Sequence, residues 1–288
     1  MILISGCSFT SEYSDYNTWS TYLTEKIKDV DIVRNVSAGG SSNKLISRRV
    51  FWHLNNNFKG EVYDYAIIQW STIDRWDYPV FVSEDRASDF PRMNMHPERI
   101  NKINYMSNGT DIFGYGSKFY ETYYSLYGAV IDTLENIYHT QLYLNSINIP
   151  YKMITIGNLF SMDASISKLV ELQKATDLTQ GKYSNSKINN IFDKLEKLEE
   201  SWYDTDNIKY LIDKIDFTKF IFTDNTKIHG FGGGIIEWFL NKNEILTGGN
   251  HHPSSEQHQR FFEEFLWDKL KNEINGVTKQ TIDKRLLI

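Results

Sequence analysis

The run Tyr63-Asp-Tyr-Ala-Ile-Ile-Gln-Trp70 most constrains what this chain can fold into. Its apolar middle is continuous rather than alternating. A strand of that kind is buried on both faces, as in a parallel sheet covered by helices. Two other short strands precede it. Met1-Ile-Leu-Ile4 reads as a first strand and Asp31-Ile-Val-Arg-Asn-Val36 as a second. Between them Trp19, Tyr22, Leu23 and Ile27 recur at helical spacing, predicting an amphipathic helix to about Lys28. Lys44 to about Asn55 predicts another, with Leu45, Val50 and Leu54 among its apolar positions. Strand, helix, strand, helix, strand is the doubly wound α/β order.

The second half continues it with interruptions. Lys118 to Asn145 predicts a long helix, closed by Pro150, and Tyr151 to Gly157 a fourth strand. Phe217-Thr-Lys-Phe-Ile-Phe222 reads as a fifth strand, and Ile235 to Leu240 as a short helix. The last helix runs to Ile274, with Ser254 as N-cap and Gln257 three positions into it, a capping-box arrangement. Two stretches do not fit the alternation. Residues 77–117 are broken by Pro79, Pro91, Pro97 and several glycines, and so long an irregular stretch reads as a lid or an insertion. Residues 160–212 look helical and polar, a second insertion. The expected architecture is one domain over 1–288. It is an α/β/α three-layer, flavodoxin-like sandwich around a mostly parallel five-stranded sheet. Gly230 to Gly234 lacks the Lys-Ser/Thr of a phosphate loop, so phosphate binding is not expected there.

Composition narrows the function classes. The 288 residues carry a net charge of −6, which argues against bulk electrostatic binding of nucleic acid. No apolar run is long enough to span a membrane. No basic region precedes the first apolar stretch and no small-residue cleavage site follows, so no signal peptide is expected. The single cysteine, Cys7, excludes an internal disulfide and a Cys-rich zinc site, and points to a reducing, cytoplasmic setting. Aromatic residues make up 15% of the chain, enough to fill a core or to line a carbohydrate-binding cleft, and composition does not choose between them.

The first strand ends in Gly6-Cys-Ser-Phe-Thr10. A strand ending in Gly-x-Ser can place a nucleophile at the carboxyl edge of a parallel sheet, and Ser8 is the candidate. A serine hydroxyl needs a base to take its proton. His252 stands in a loop before the capped last helix, and His258 lies six positions on, inside that helix. His258 reads as a packing residue. A zinc site from His251, His252 and His258 is not expected, because adjacent histidines point apart and no ligand spacing completes the set. No cofactor is expected.

In spaced blocks the chain resembles the SGNH, or GDSL, hydrolases. Gly6-Cys-Ser-Phe-Thr10 is similar to their Gly-Asp-Ser nucleophile turn, with Cys7 in place of the Asp. Asn35-Val-Ser-Ala-Gly-Gly-Ser-Ser-Asn43 is similar to the second block, with Gly40 at the oxyanion position. Gln69-Trp-Ser-Thr72 follows the third strand, where Ser71 falls at the place of the oxyanion Asn. His252-Pro-Ser-Ser-Glu-Gln-His258 reproduces the tail of the last block. The likeness spans residues 1 to about 70 and about 217 to 274. It implies Ser8 as nucleophile, His252 as base, and Ser8, Gly40 and Ser71 as oxyanion donors. It also implies a small-molecule or carbohydrate ester as substrate, O-acetyl groups included.

The acid that should precede His252 by three positions is missing. Gly249 stands there and Asn250 is one residue nearer. Three arrangements stay open. Asn250 or a backbone carbonyl holds the imidazole, an acid such as Asp224 comes from elsewhere, or the fold is a catalytically degenerate binding module. Asn43, Trp70 and Arg75 are the candidate substrate-binding residues, Arg75 for substrate charge or for a structural ion pair.

Overall fold

In a computed structural model the structure describes residues 1–12, 16–28, 31–55, 62–73, 75–77, 105–106, 125–160, 205–225, 227–248 and 252–285. Four parallel strands form the main sheet: β1 (Ile2–Ser5), β2 (Val33–Asn35), β3 (Tyr65–Trp70) and a later strand, Tyr151–Thr155. A separate antiparallel pair, β4 (Trp76–Asp77) and β5 (Tyr105–Met106), lies between them in sequence, so the last strand of the main sheet is β6. The sheet order is β2-β1-β3-β6. Every residue of β1 and β3 is buried, as the continuous apolar run requires of strands covered on both faces. Ser5 pairs with Ile68 and Trp70 with Thr155, so the strands end together at one carboxyl edge.

The crossover helices are α1 (Trp19–Ile27), α2 (Asn43–Asn55) and α3 (Leu126–Ser146). In α1 three of the four positions that recur at helical spacing, Trp19, Leu23 and Ile27, are buried, as is Ser20, while Tyr22 is half-buried. Helix α3 starts where Ser125 caps it by accepting from Gly128 N, and residues 118–124 of the expected helix lie outside the described residues. Its far end turns through Asn148, at φ 55°, into Pro150 and β6. Helix α4 (Asp206–Lys214) is the described end of the second insertion. Residues 161–204, and all of 78–117 except β5, lie outside the described residues.

The expected strand at Phe217–Phe222 is corrected. Phe217–Lys219 form a 3₁₀ turn, and only Phe220 makes a parallel bridge, to Met153 at the β6 edge. The cause is local. Asp216 accepts from both the backbone N–H and the hydroxyl of Thr218, which tightens the chain just where it would have to extend. Gln141 on α3 holds Asp216 by its N–H and its carbonyl. Phe217, Phe220 and Phe222 then gather round the fully buried Phe231 instead of alternating across a sheet.

Helix α5 (Ile235–Leu240) matches its expected span. The final helix begins as α6 (Ser255–Phe261), passes through a π turn at Phe262–Leu266 and continues as α7 (Trp267–Arg285). It runs past its expected end at Ile274, since one glycine, Gly276, costs a helix only about 1 kcal/mol. The π turn adds a residue to one turn and rotates the face. That is how the neighbours Phe261 and Phe262 and the later Leu266, Leu270 and Ile274 are all buried. Among the described residues no helix is long and apolar enough to cross a membrane.

Candidate active site

The turn after β1 carries the nucleophile candidate. Thr10 N and Ser11 N both donate to Cys7 O, at 3.0 and 2.9 Å, which curls the chain directly after the strand. From Ser5 to Thr10 every residue is buried except Ser8. The turn therefore presents one hydroxyl to the carboxyl edge and hides the rest. Gly6 is needed for close approach. A Cβ there would lie 2.7 Å from Thr10 Oγ1 and 3.1 Å from Gln69 Cβ.

A buried polar network holds this turn. Thr10 Oγ1 donates to Gln69 Oε1 at 2.6 Å and accepts from Trp19 Nε1 at 3.1 Å. Thr10 O accepts from Thr18 Oγ1, Ser20 Oγ and Asn35 Nδ2. The turn is thus tied to β3, α1 and β2 at once. Sequence reasoning did not assign roles to Thr10 or Gln69. The available signal was Gln69 itself, an amide inside an otherwise apolar strand, which must find partners when buried.

His252 comes from the other end of the chain. Its Nε2 lies 2.7 Å from Ser8 Oγ, with a separation of 244 residues in sequence. Phe9 packs against the imidazole, ring centroids 4.8 Å apart. The segment before α1, together with Tyr22 within α1, fastens the chain around His252. Tyr16 OH donates to Pro253 O, Tyr22 OH to Ser255 O, and Asn17 N to Ser255 Oγ. These bonds cross the molecule to set one side chain, and no local pattern announces them.

The chain matches no family model, no curated protein and no solved structure.

The other candidate residues divide by position. Gly40 has φ 73°, a left-handed conformation that glycine adopts without strain. Its loop runs beside the nucleophile turn, where Ala38 N donates to Gly6 O. Ser71 is fully buried just past the carboxyl end of β3. Its backbone N–H is engaged by Asn43 Oδ1 at 2.7 Å, while its Oγ has no hydrogen-bond partner. Of the two donors on Ser71, the N–H is spent on Asn43 and the hydroxyl is closed to solvent, which is at odds with a donor that meets an oxyanion directly. Asn43 is itself a brace: its Nδ2 donates to Ser71 O, Thr72 O and Thr133 Oγ1. Its amide is spent within the protein, which is at odds with a substrate-binding role. Trp70 is wholly buried in the core, with no surface open to a ligand. Arg75 is half-buried and lines a small cleft with Lys44, Ile73 and Asp132. Burial raises the Asp132 carboxyl above its ordinary range, and the Lys44 charge offsets part of that.

Gly249, Asn250 and His251 lie outside the described residues. Asp224 is occupied with another turn: its Oδ1 accepts from Gly233 N at 2.9 Å. His258 is fully buried behind the site, edge-on to Phe9 and Tyr16. Burial pushes its imidazole down to about 3, with a smaller push from His252, so it is neutral. Among the described residues no three His, Cys, Asp or Glu side chains are grouped to hold a metal ion.

The chemistry open to this arrangement is proton transfer from a hydroxyl. A neutral imidazole nitrogen at 2.7 Å can take the Ser8 proton as the oxygen attacks an electrophile.

Proposed function

We propose that this protein is an SGNH-type serine hydrolase that cleaves, or transfers, a small acyl ester, with O-acetyl groups on carbohydrate as the substrate class. The contact between His252 Nε2 and Ser8 Oγ carries the reading. Ser8 Oγ attacks the ester carbonyl while His252 takes its proton. The tetrahedral intermediate collapses, and His252 returns the proton to the departing alkoxide. Water, or an acceptor alcohol in a transferase, then attacks the acyl-serine as His252 takes its proton. The acyl–Oγ bond breaks, the acid or new ester leaves, and His252 returns the proton to Ser8 Oγ. The N–H groups of Ser8 and Gly40 meet the oxyanion. The reading takes the sheet as flavodoxin-like, with the segment at Phe220 as a reduced fifth member. The strand order and the bridge to Met153 support that. The buried, free Cys7 fits a reducing compartment.

The test is hydrolysis of p-nitrophenyl acetate together with fluorophosphonate labelling. Wild type is expected to turn over and to label at Ser8. Ser8→Ala and His252→Ala are each expected to lose on the order of 10³-fold or more in kcat. Turnover that survives Ser8→Ala would remove Ser8 as nucleophile. Neither turnover nor labelling in wild type would leave the fold as a binding module.

A further inference from the structure

We infer that Gln257 is the positioning residue that holds His252 against Ser8, by clamping the chain on both sides of the histidine. The inference rests on Ser8 and His252 being the reacting pair. A base on a loop must be held within about half an ångström of its productive place, so something rigid has to fix that loop. Gln257 stands at the third position of α6, 7% exposed. Its Oε1 accepts from Thr247 N at 2.9 Å, Thr247 Oγ1 at 3.0 Å and Ser254 N at 3.0 Å. Its Nε2 donates to Ile245 O at 2.7 Å. A capping box accounts for only one of these four bonds, the one to Ser254 N. The other three do nothing for the helix. They reach back to Ile245 and Thr247, before His252, while the cap bond holds Ser254, after it. Inside that span Gly248 N donates to His252 O at 2.8 Å, closing the loop on the histidine's own backbone. A Cβ at Gly248 would stand 2.3 Å from Pro253 O, so the two flanks touch. The anchor is firm, because α6 leads into Phe261 and Phe262, both buried in the core.

The experiment compares Gln257→Ala, Gln257→Glu and Ser254→Ala in the full chain, using p-nitrophenyl acetate and amide hydrogen exchange. Ser254→Ala removes the acceptor for Gln257 N and loosens the same helix end, but leaves the four bonds of the amide intact. Gln257→Ala is expected to lower kcat on the order of 10²-fold with KM nearly unchanged, the scale of a reacting group misplaced by about 1 Å. Exchange at the Thr247, Gly248 and Ser254 amides should quicken with it. Ser254→Ala is expected to lower the thermal midpoint and keep kcat within about twofold. Gln257→Glu keeps an acceptor at the same reach, and kcat should return to within about tenfold of wild type. The inference is overturned if Gln257→Ala loses no more kcat than Ser254→Ala, or if those three amides exchange as in wild type. If wild type itself neither turns over ester nor labels, the catalytic reading falls, and the exchange rates still decide whether Gln257 holds the loop.

Discussion

Acid should destabilise this protein through one histidine. His258 is fully buried, and neither ring nitrogen has a hydrogen-bond partner. Burial is the larger reason that its folded-state pKa falls from 6.5 to about 3, and His252 adds to it. The sign follows from linkage. With a depressed folded pKa, the unfolded chain takes up the proton first, so stability rises with pH between the two values. The contribution is complete above about 6.5 and is lost as pH falls toward 3. Between about pH 7 and pH 5 the loss is roughly 2 kcal/mol, and the slope there approaches about 1.4 kcal/mol per pH unit. Against a typical total of about 5–15 kcal/mol that is a large share. The perturbation is His258→Leu, which fills the same space and does not titrate. Urea midpoints for both proteins at about pH 7, 6 and 5 give the curve, and subtracting the variant removes every other titrating group. Wild type should lose roughly 2 kcal/mol more than the variant over that range. Parallel curves would refute the assignment and show that His258 is solvated or partnered in solution.

Two further predictions concern the nucleophile turn. Gly6→Ala drives a Cβ into Thr10 Oγ1 and Gln69 Cβ, at 2.7 and 3.1 Å. It should cost about 1–3 kcal/mol by thermal unfolding, and slow fluorophosphonate labelling of Ser8. Thr10→Val keeps the shape but strands the buried Trp19 Nε1 donor and removes the short bond to Gln69. A loss of about 1–3 kcal/mol in urea is expected, and a value near zero would mean that the network under Ser8 is not structural.

What could be read along the chain was whatever depends on neighbours. The strands at Ile2–Ser5, Tyr65–Trp70 and Tyr151–Thr155 showed as apolar runs, and α1, α2 and α5 as periodic or short apolar stretches. Ser254 and Gln257 showed as a cap. The expected strand at Phe217–Phe222 failed because Asp216 bonds Thr218 and bends the chain where it would have to extend. Asn43 and Trp70 looked available for a ligand because sequence does not report burial or spent hydrogen bonds.

The alternation of strand and helix, and hence an α/β chain with a parallel sheet, belongs to the sequence by itself, because side-chain periodicity is set by local backbone geometry. So does the order of the candidate groups, Ser8 first and His252 near the end. Their distance of 2.7 Å belongs to the tertiary structure. It depends on bonds such as Tyr16 to Pro253 and Gln257 to Thr247, and on the buried Thr10–Gln69 pair beneath the turn. Hydrogen bonds between residues far apart in the chain leave no periodic trace, and only the packed fold brings their partners within reach.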